Sequence, residues 1–248
     1  MVRLAANLTL LFTELPFVER FAAAAAAGFT AVECQFPYDH DPDVLAAARQ
    51  AAGVEQVLIN APAGPAALGG RGIAALAGQT AEVRAGLAEA ARYAAALGSP
   101  RVHVMAGVGP TDDAAYVEHL RIAVDVLGSE GLEVLIEPLN HADVPGYHLT
   151  RPEHAAAVLD RVPGLRLQCD LYHLARTGLD PLGVLAAHLP RVGHVQVAGV
   201  PARHEPDPAW VVGAGDAGWH GWIGCEYVPA AGTVEGLGWA APWLAPPG

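Results

Sequence analysis

The 248-residue sequence contains no lysine; all 14 of its basic residues are arginine. Without a side-chain amine the chain cannot form a Schiff base with a carbonyl, anchor pyridoxal phosphate, or build a phosphate loop around a lysine. Any chemistry must come from carboxylates, histidines, arginines or a metal ion. Basic charge is also scarce: 26 acids give a formal net charge of -12. A nucleic-acid binder needs a basic face, and an anionic membrane surface would repel this chain, so neither is expected as a partner. The three cysteines, Cys34, Cys169 and Cys225, lie far apart and none is in a CxxC pair. That argues against a disulfide framework and fits a reducing, cytoplasmic setting. No run of 18 apolar residues exists to span a membrane. The N-terminal MVRLAANLTLLF is interrupted by Asn7 and Thr9 and does not read as a signal peptide. No GxGxxG follows the first strand candidate, which removes the usual dinucleotide-binding signature.

What is present is a large apolar fraction, 52% of the chain, sufficient for one sizeable core. Short β-branched runs alternate with longer alanine- and leucine-rich segments. Strands are predicted at 4–8, 31–35, 56–60, 101–106, 133–139, 165–171, 193–198 and 221–227. Helices are predicted at 16–27, 41–52, 80–97, 111–129, 151–161 and 179–188, with a short one at 234–243. Gly28, Gly53, Gly98 and Gly131 follow helix candidates where a left-handed cap is wanted. Eight strand–helix alternations predict an α/β fold with a parallel sheet, and closure of eight units predicts a (β/α)8 barrel. An open doubly wound sheet is the alternative. The segment between strands seven and eight carries three prolines around a short AWVV run, so the seventh helix is expected to be short or irregular. No linker divides the chain, which is read as one domain over 1–248. The Pro246-Pro247-Gly248 tail is expected to fray.

The stretch VLIEPLN, residues 134–140, poses the functional question, because a buried strand should not end in a costly charge. Glu137 is not alone. Asp170, Gln196 and Glu226 occupy equivalent positions near the ends of the next three strands, separated by 33, 26 and 30 residues. In a barrel the C-terminal strand ends meet at one mouth. Four oxygen donors would converge there, a set suited to Mg²⁺ or Mn²⁺ more than to Zn²⁺. Taken singly, each acid could instead be a helix cap or a salt-bridge partner. Strand alternation would then turn Cys34, Cys169 and Cys225 away from the acids beside them, into core packing. His173, three residues past Asp170, is the histidine best placed to act at the mouth. His194 reads as a deeper structural histidine; His103 and His141 are weaker candidates. Arg203 either holds a substrate carboxylate or is an ordinary surface arginine.

At these residues the chain resembles the hydroxypyruvate isomerase family, within the xylose-isomerase-like barrels. The matching stretches are ANLTLLF, VECQFPYD, NAPAG, RGIAALAGQ, IEPLN, DVPGYHL, LQCDLYH, GHVQVA and GWIGCEY, which together reach from residue 4 to 227. The resemblance implies a (β/α)8 barrel whose metal ligands are Glu137, Asp170, Gln196 and Glu226. It also implies that Glu137 and Glu226 form the acid/base pair that moves a proton between adjacent carbons of hydroxypyruvate and tartronate semialdehyde. Asn7 and Asn60, within the matching stretches, join His173 and Arg203 as candidate substrate-binding residues. The implied partner is a small hydroxy-oxo acid or sugar. A 2-oxo-tetronate isomerase, a ketose 3-epimerase, an apurinic-site endonuclease and a degenerate metabolite-binding barrel are the alternatives. The chain departs from the family pattern twice: a Gly-Glu-Ile/Leu stretch is missing after Pro206, and Pro65 follows Gly64 where relatives carry Asp. Apolar residues near AWVVGAG and GWHGW are either a contact between copies in a homo-oligomer or a cover over the mouth.

Overall fold

A computed structural model describes residues 2–245; the 246–248 tail, expected to fray, lies outside the described residues. Eight strands form the sheet: β1 (Arg3–Asn7), β2 (Ala31–Cys34), β3 (Glu55–Asn60), β4 (Arg101–His103), β5 (Glu133–Ile136), β6 (Leu165–Asp170), β7 (Val192–Val197) and β8 (Trp222–Cys225). Every neighbouring pair is parallel, and β1 pairs with both β2 and β8, closing the barrel. The helices are α1 (Arg20–Ala26), α2 (Pro42–Ala52), α3 (Thr80–Leu97), α4 (Asp113–Ser129), α5 (Pro152–Arg161), α6 (Leu171–Arg176), α7 (Pro181–His188) and α8 (Pro208–Asp216). The helix starts follow local chemistry. Asp41, Asp112, Asp170 and Asp207 each accept a backbone N–H of the first turn, satisfying donors that have no partner within the helix. Gly53 and Gly98 close α2 and α3 with φ of 67° and 66°, as expected of left-handed caps.

Two details differ from the sequence expectation. The helix α6 was not foreseen; it is a six-residue turn nucleated by Asp170 itself. The segment at 234–243 folds as a 3₁₀ helix over Glu235–Trp243, because Pro242 removes a donor from the last turn. The seventh unit holds a nine-residue α8, short beside α3 and α4 as expected. Proline at its first position is compatible with helix, since that N–H needs no partner. Its glycines serve packing: a Cβ on Gly213 would lie 2.4 Å from Leu182 Cδ1 of α7.

The core has two parts. The larger lies between sheet and helices and takes in Cys34, Cys169 and Cys225. The smaller fills the lower barrel interior with Ala5, Ala31, Val57, Leu58, Leu135 and Trp222. Above that plug the interior turns polar. Asn7, Glu33, Gln168, His194 and Gln196 are all 1% exposed, and they form a floor of hydrogen-bonding groups beneath the mouth.

Candidate active site

Strand alternation carries the polar layer upward. On β6, Gln168 and Asp170 point inward while Cys169 packs outward; on β7, His194 and Gln196 do the same. Glu137 and Glu226 are the residues immediately after β5 and β8, where the strands have begun to diverge. Glu137, Asp170 and Glu226 are all buried, with residue exposures of 5%, 2% and 6%. Glu137 and Glu226 line a cavity of about 80 Å³ that also includes Asn60, His103, His173 and Arg203.

Concentrating carboxylates in a buried site works against their ionisation. Burial, reinforced by the charges of Asp170 and Glu226, holds the Glu137 carboxyl well above the usual range. Burial pushes Glu226 up to about 7 and Asp170 up to about 6, each opposed by the positive charge of Arg203. That guanidinium is the local counterion. Its Nη2 donates to Glu226 Oε1 at 2.6 Å and to Asp170 Oδ2 at 3.4 Å, and its Nε donates to the Glu226 backbone carbonyl at 3.1 Å. It also lies 4.9 Å over the Tyr172 ring. Arg203 is thus neither a surface arginine nor a free carboxylate clamp; the protein's own acids engage it.

The amides form a relay beneath the acids. Gln168 Nε2 donates to Glu137 Oε2 at 2.9 Å and to Gln196 Oε1 at 2.7 Å. Gln196 Nε2 donates to Glu33 Oε1 at 2.7 Å and to Glu226 Oε2. Gln196, expected as an oxygen ligand, here presents its nitrogen to the acids, and ligation through Oε1 would require the amide to exchange ends. Asn7 Nδ2 donates to Glu33 Oε1 at 2.9 Å and to Glu226 Oε2 at 3.3 Å. It orients carboxylates and is not among the cavity-lining residues, whereas Asn60 is. His194 Nε2 lies 2.6 Å from Glu33 Oε2, a buried structural contact as expected. Burial holds His103 neutral, lowered to about 3, with its Nδ1 3.6 Å from Glu137 Oε2. His141 is exposed.

His173 has a fixed tautomer. Its Nδ1 faces the Asn140 backbone N–H at 3.2 Å and the Asn140 side-chain amide nitrogen at 2.7 Å. That amide is itself oriented, because its Oδ1 accepts from Asp143 N–H at 2.9 Å and its nitrogen donates to Asp143 Oδ2 at 2.9 Å. Burial and the Arg203 charge keep the ring neutral. With two donors on Nδ1, the ring proton sits on Nε2, 3.7 Å from Asp170 Oδ2 and 3.9 Å from Glu137 Oε1. The Arg203 Nη1 contact to Nε2 is longer, 3.5 Å, and does not outweigh the two at Nδ1. His173 therefore offers a hydrogen-bond donor to the mouth.

Donor atoms of Glu137, Asp170 and His173 lie within 4.8 Å of one another, and the carboxylates of this set fit a cation. Glu137 Oε1 is buried with no hydrogen-bond partner among the described residues. Asp170 caps α6 with Oδ1, at 2.8 Å from Tyr172 N–H, and leaves Oδ2 facing Arg203 Nη2 at 3.4 Å and His173 Nε2 at 3.7 Å. Buried acids in excess of cations favour a divalent ion, and oxygen donors favour a hard one. Sequence reasoning missed Glu33, Gln35, Gln168 and Asn140. The first three follow from the period of two once their strands are known; Gln35 Nε2 donates to Glu226 Oε1 at 2.9 Å.

A closed eight-stranded parallel barrel with buried carboxylates at its C-terminal mouth defines a (β/α)8 enzyme, and comparison with known proteins makes the assignment specific. A family model described as xylose isomerase-like TIM barrel matches residues 21–243, and the chain belongs to that family. A 2-oxo-tetronate isomerase of Cupriavidus necator is 44% identical over 98% of this chain and 99% of its own length. The hydroxypyruvate isomerase of Escherichia coli is 38% identical over 98% of this chain and 100% of its own. A solved structure titled AP endonuclease, family 2, from Brucella melitensis superposes with a TM-score of 0.94 at 40% identity, covering 98% of this chain and 100% of that one. With full-length isomerase relatives on this scale, the chain is an isomerase.

Proposed function

We propose that the protein is a metal-dependent isomerase of short hydroxy-oxo acids that interconverts hydroxypyruvate and tartronate semialdehyde through an enediolate. The observation that carries this reading is the pair Glu137 and Glu226, two buried carboxylates on one small cavity, both held above the usual carboxylate range by burial, Glu226 at about 7. A group that exchanges protons near the working pH is suited to general acid–base catalysis.

The atoms balance as follows. One of the two carboxylates takes a proton from C3 of hydroxypyruvate. The C–H electron pair forms the C2=C3 double bond, and the C2 carbonyl becomes an enolate oxygen. The hydroxyl proton on O3 moves to O2, C3 becomes the aldehyde, and a carboxylic acid of the pair returns a proton to C2. Glu137, Asp170 and Glu226 would hold the divalent ion, Mg²⁺ or Mn²⁺ by the hardness of the donors, with Gln196 as a further ligand after its amide turns. Such an ion polarises the carbonyl and offsets negative charge on the substrate oxygens. His173 Nε2–H donates to a substrate oxygen, Asn60 lines the same cavity, and Arg203 keeps Glu226 and Asp170 from repelling one another.

The 44% identity to a 2-oxo-tetronate isomerase supports a second reading, a four-carbon acid in the same pocket with the same proton transfer. An endonuclease reading is disfavoured by the charge of -12, since DNA affinity rests on basic contacts to phosphate.

The test is to incubate metal-stripped protein with hydroxypyruvate, with and without Mn²⁺ or Mg²⁺, and follow tartronate semialdehyde by NMR. Glu137→Gln and Glu226→Gln should each lower turnover by at least about 10²-fold, the usual scale for removing an acid–base group. Metal-dependent turnover of the four-carbon acid alone would select the second reading. No turnover of either acid by protein with metal bound would refute both.

A further inference from the structure

An oxo acid brings a carboxylate into a cavity whose walls already carry Glu137 and Glu226, and something must neutralise it. Arg203 is unavailable, being engaged by Glu226 and Asp170. The other cation on the cavity wall is Arg71. Among the described residues its guanidinium makes no salt bridge and no side-chain hydrogen bond, although it belongs to a chain rich in acids. Asp143, the remaining acid on that wall, is already bound to Arg176 at 3.4 Å, Asn140 at 2.9 Å and the Tyr172 hydroxyl at 2.7 Å. The Arg71 charge also acts on His173 and on Tyr147, which places it on the His173 side of the mouth.

The backbone delivers Arg71 to this position. Gly70 and Gly72 flank it with φ of 59° and 89°, a left-handed conformation on both sides that bulkier residues resist. Gly72 N–H donates to the Ala63 carbonyl at 2.9 Å, and residue 72 bridges Ala106 just beyond β4. A Cβ on Gly72 would lie 2.2 Å from the Met105 carbonyl oxygen. The loop is pinned against β4 next to the arginine, and the side chain of residue 71 is left free over the opening.

We infer that Arg71 is the residue that binds the substrate carboxylate and sets the preference for hydroxy-oxo acids over neutral sugars of equal length. This deepens the reading proposed above and rests on it. A guanidinium grips a carboxylate through two parallel N–H···O bonds, whereas a neutral hydroxymethyl group in the same place would accept at most one uncharged bond.

The test uses the Mn²⁺-loaded protein and two readouts. Calorimetry measures binding of glycerate, a hydroxy acid, and of glycerol, its neutral counterpart. Kinetics compare hydroxypyruvate with dihydroxyacetone, in which a hydroxymethyl group replaces the carboxylate. Arg71→Gln should weaken glycerate binding and raise the hydroxypyruvate KM by about 10²-fold, the scale of two charge-assisted hydrogen bonds. It should leave kcat within about threefold, as expected when an interaction common to ground and transition states is removed. Glycerol and dihydroxyacetone should respond little, and Arg71→Lys should recover part of the loss. Equal losses for acid and neutral compounds, or no loss for either, would overturn the assignment, as would a wild-type protein that binds no glycerate. Arg71-dependent glycerate binding without turnover of any acid would leave the assignment standing and refute the isomerase reading instead.

Discussion

Gly224 of β8 faces Glu33 of β2 across the barrel, and its missing side chain is what lets that carboxylate reach the centre. A Cβ at position 224 would lie 2.3 Å from Glu33 Oε2 and 2.4 Å from Oε1, well inside contact distance. Gly224→Ala must therefore displace the Glu33 carboxylate, which gathers Asn7 at 2.9 Å, His194 at 2.6 Å and Gln196 at 2.7 Å. Overpacking a tight interior costs about 1–3 kcal/mol, and each buried donor left unpaired costs about 1–3 kcal/mol more. With one or two of the three donors lost, the total is about 2–9 kcal/mol. Urea denaturation followed by far-ultraviolet circular dichroism reads this as a fall in midpoint at constant m-value. The decisive measurement is a double-mutant cycle with Glu33→Ala. Glu33→Ala alone strands the same donors, and in its background the alanine at 224 has no carboxylate to strike. The double variant should be more stable than the sum of single effects by at least about 1 kcal/mol. Additivity within about 0.5 kcal/mol, the limit expected of independent sites, would refute the steric reasoning.

Further outcomes follow from the same coordinates. Because burial raises Glu226 to about 7 and Asp170 to about 6 in the folded state, these two groups bind more protons folded than unfolded in metal-stripped protein, and their share of the stability declines as pH rises from about 4.5 through 7. His103 and His173, held neutral by burial, act in the opposite direction below about 6.5, so the carboxylate share is read by difference. The urea midpoint of Glu226→Gln minus that of the unsubstituted protein should grow between pH 5 and 7.5, and a constant or shrinking difference would contradict it; Mn²⁺ should raise the midpoint of the unsubstituted protein at pH 7.5 with release of protons. Asn140→Ala frees the His173 ring and should lower kcat by about 10–10²-fold, as loss of an orienting partner does elsewhere, while secondary structure is unchanged. All three thiols are buried, and burial raises Cys34 to about 12. Ellman's reagent should thus titrate no thiol in native protein and three after denaturation; a fast-reacting native thiol would disprove the outward packing of the cysteines.

The closed barrel was legible because each strand run and each helix run is short, separate and punctuated by glycine or aspartate. The acids Glu137, Asp170 and Glu226 were legible because a charge at the end of an apolar strand is expensive and needs a reason. Helix α6 was not, because LYHLAR continues an apolar strand and only the side chain of Asp170, capping backward, marks the turn. The setting of Arg203 was not legible for a physical reason as well. Sequence shows that an arginine follows β7 but not that the loop folds it back between Asp170 and Glu226. Gln168, Glu33 and Gln35 were within reach of the alternation rule, yet a lone amide or acid in a strand carries little signal until its neighbours across the barrel are known. The orientation of Gln196 was out of reach, since it depends on which end of Gln168 meets it.

Arg203 gives the barrel a resident positive charge among its acids. Because that charge is covalently part of the chain, the mouth can assemble without waiting for an ion to arrive. On the proposed metal-dependent reading, folding and loading are then separable events: newly made protein would accumulate in a native form when divalent metal is scarce and be put to work when supply returns, whereas other metalloproteins need their metal to fold at all.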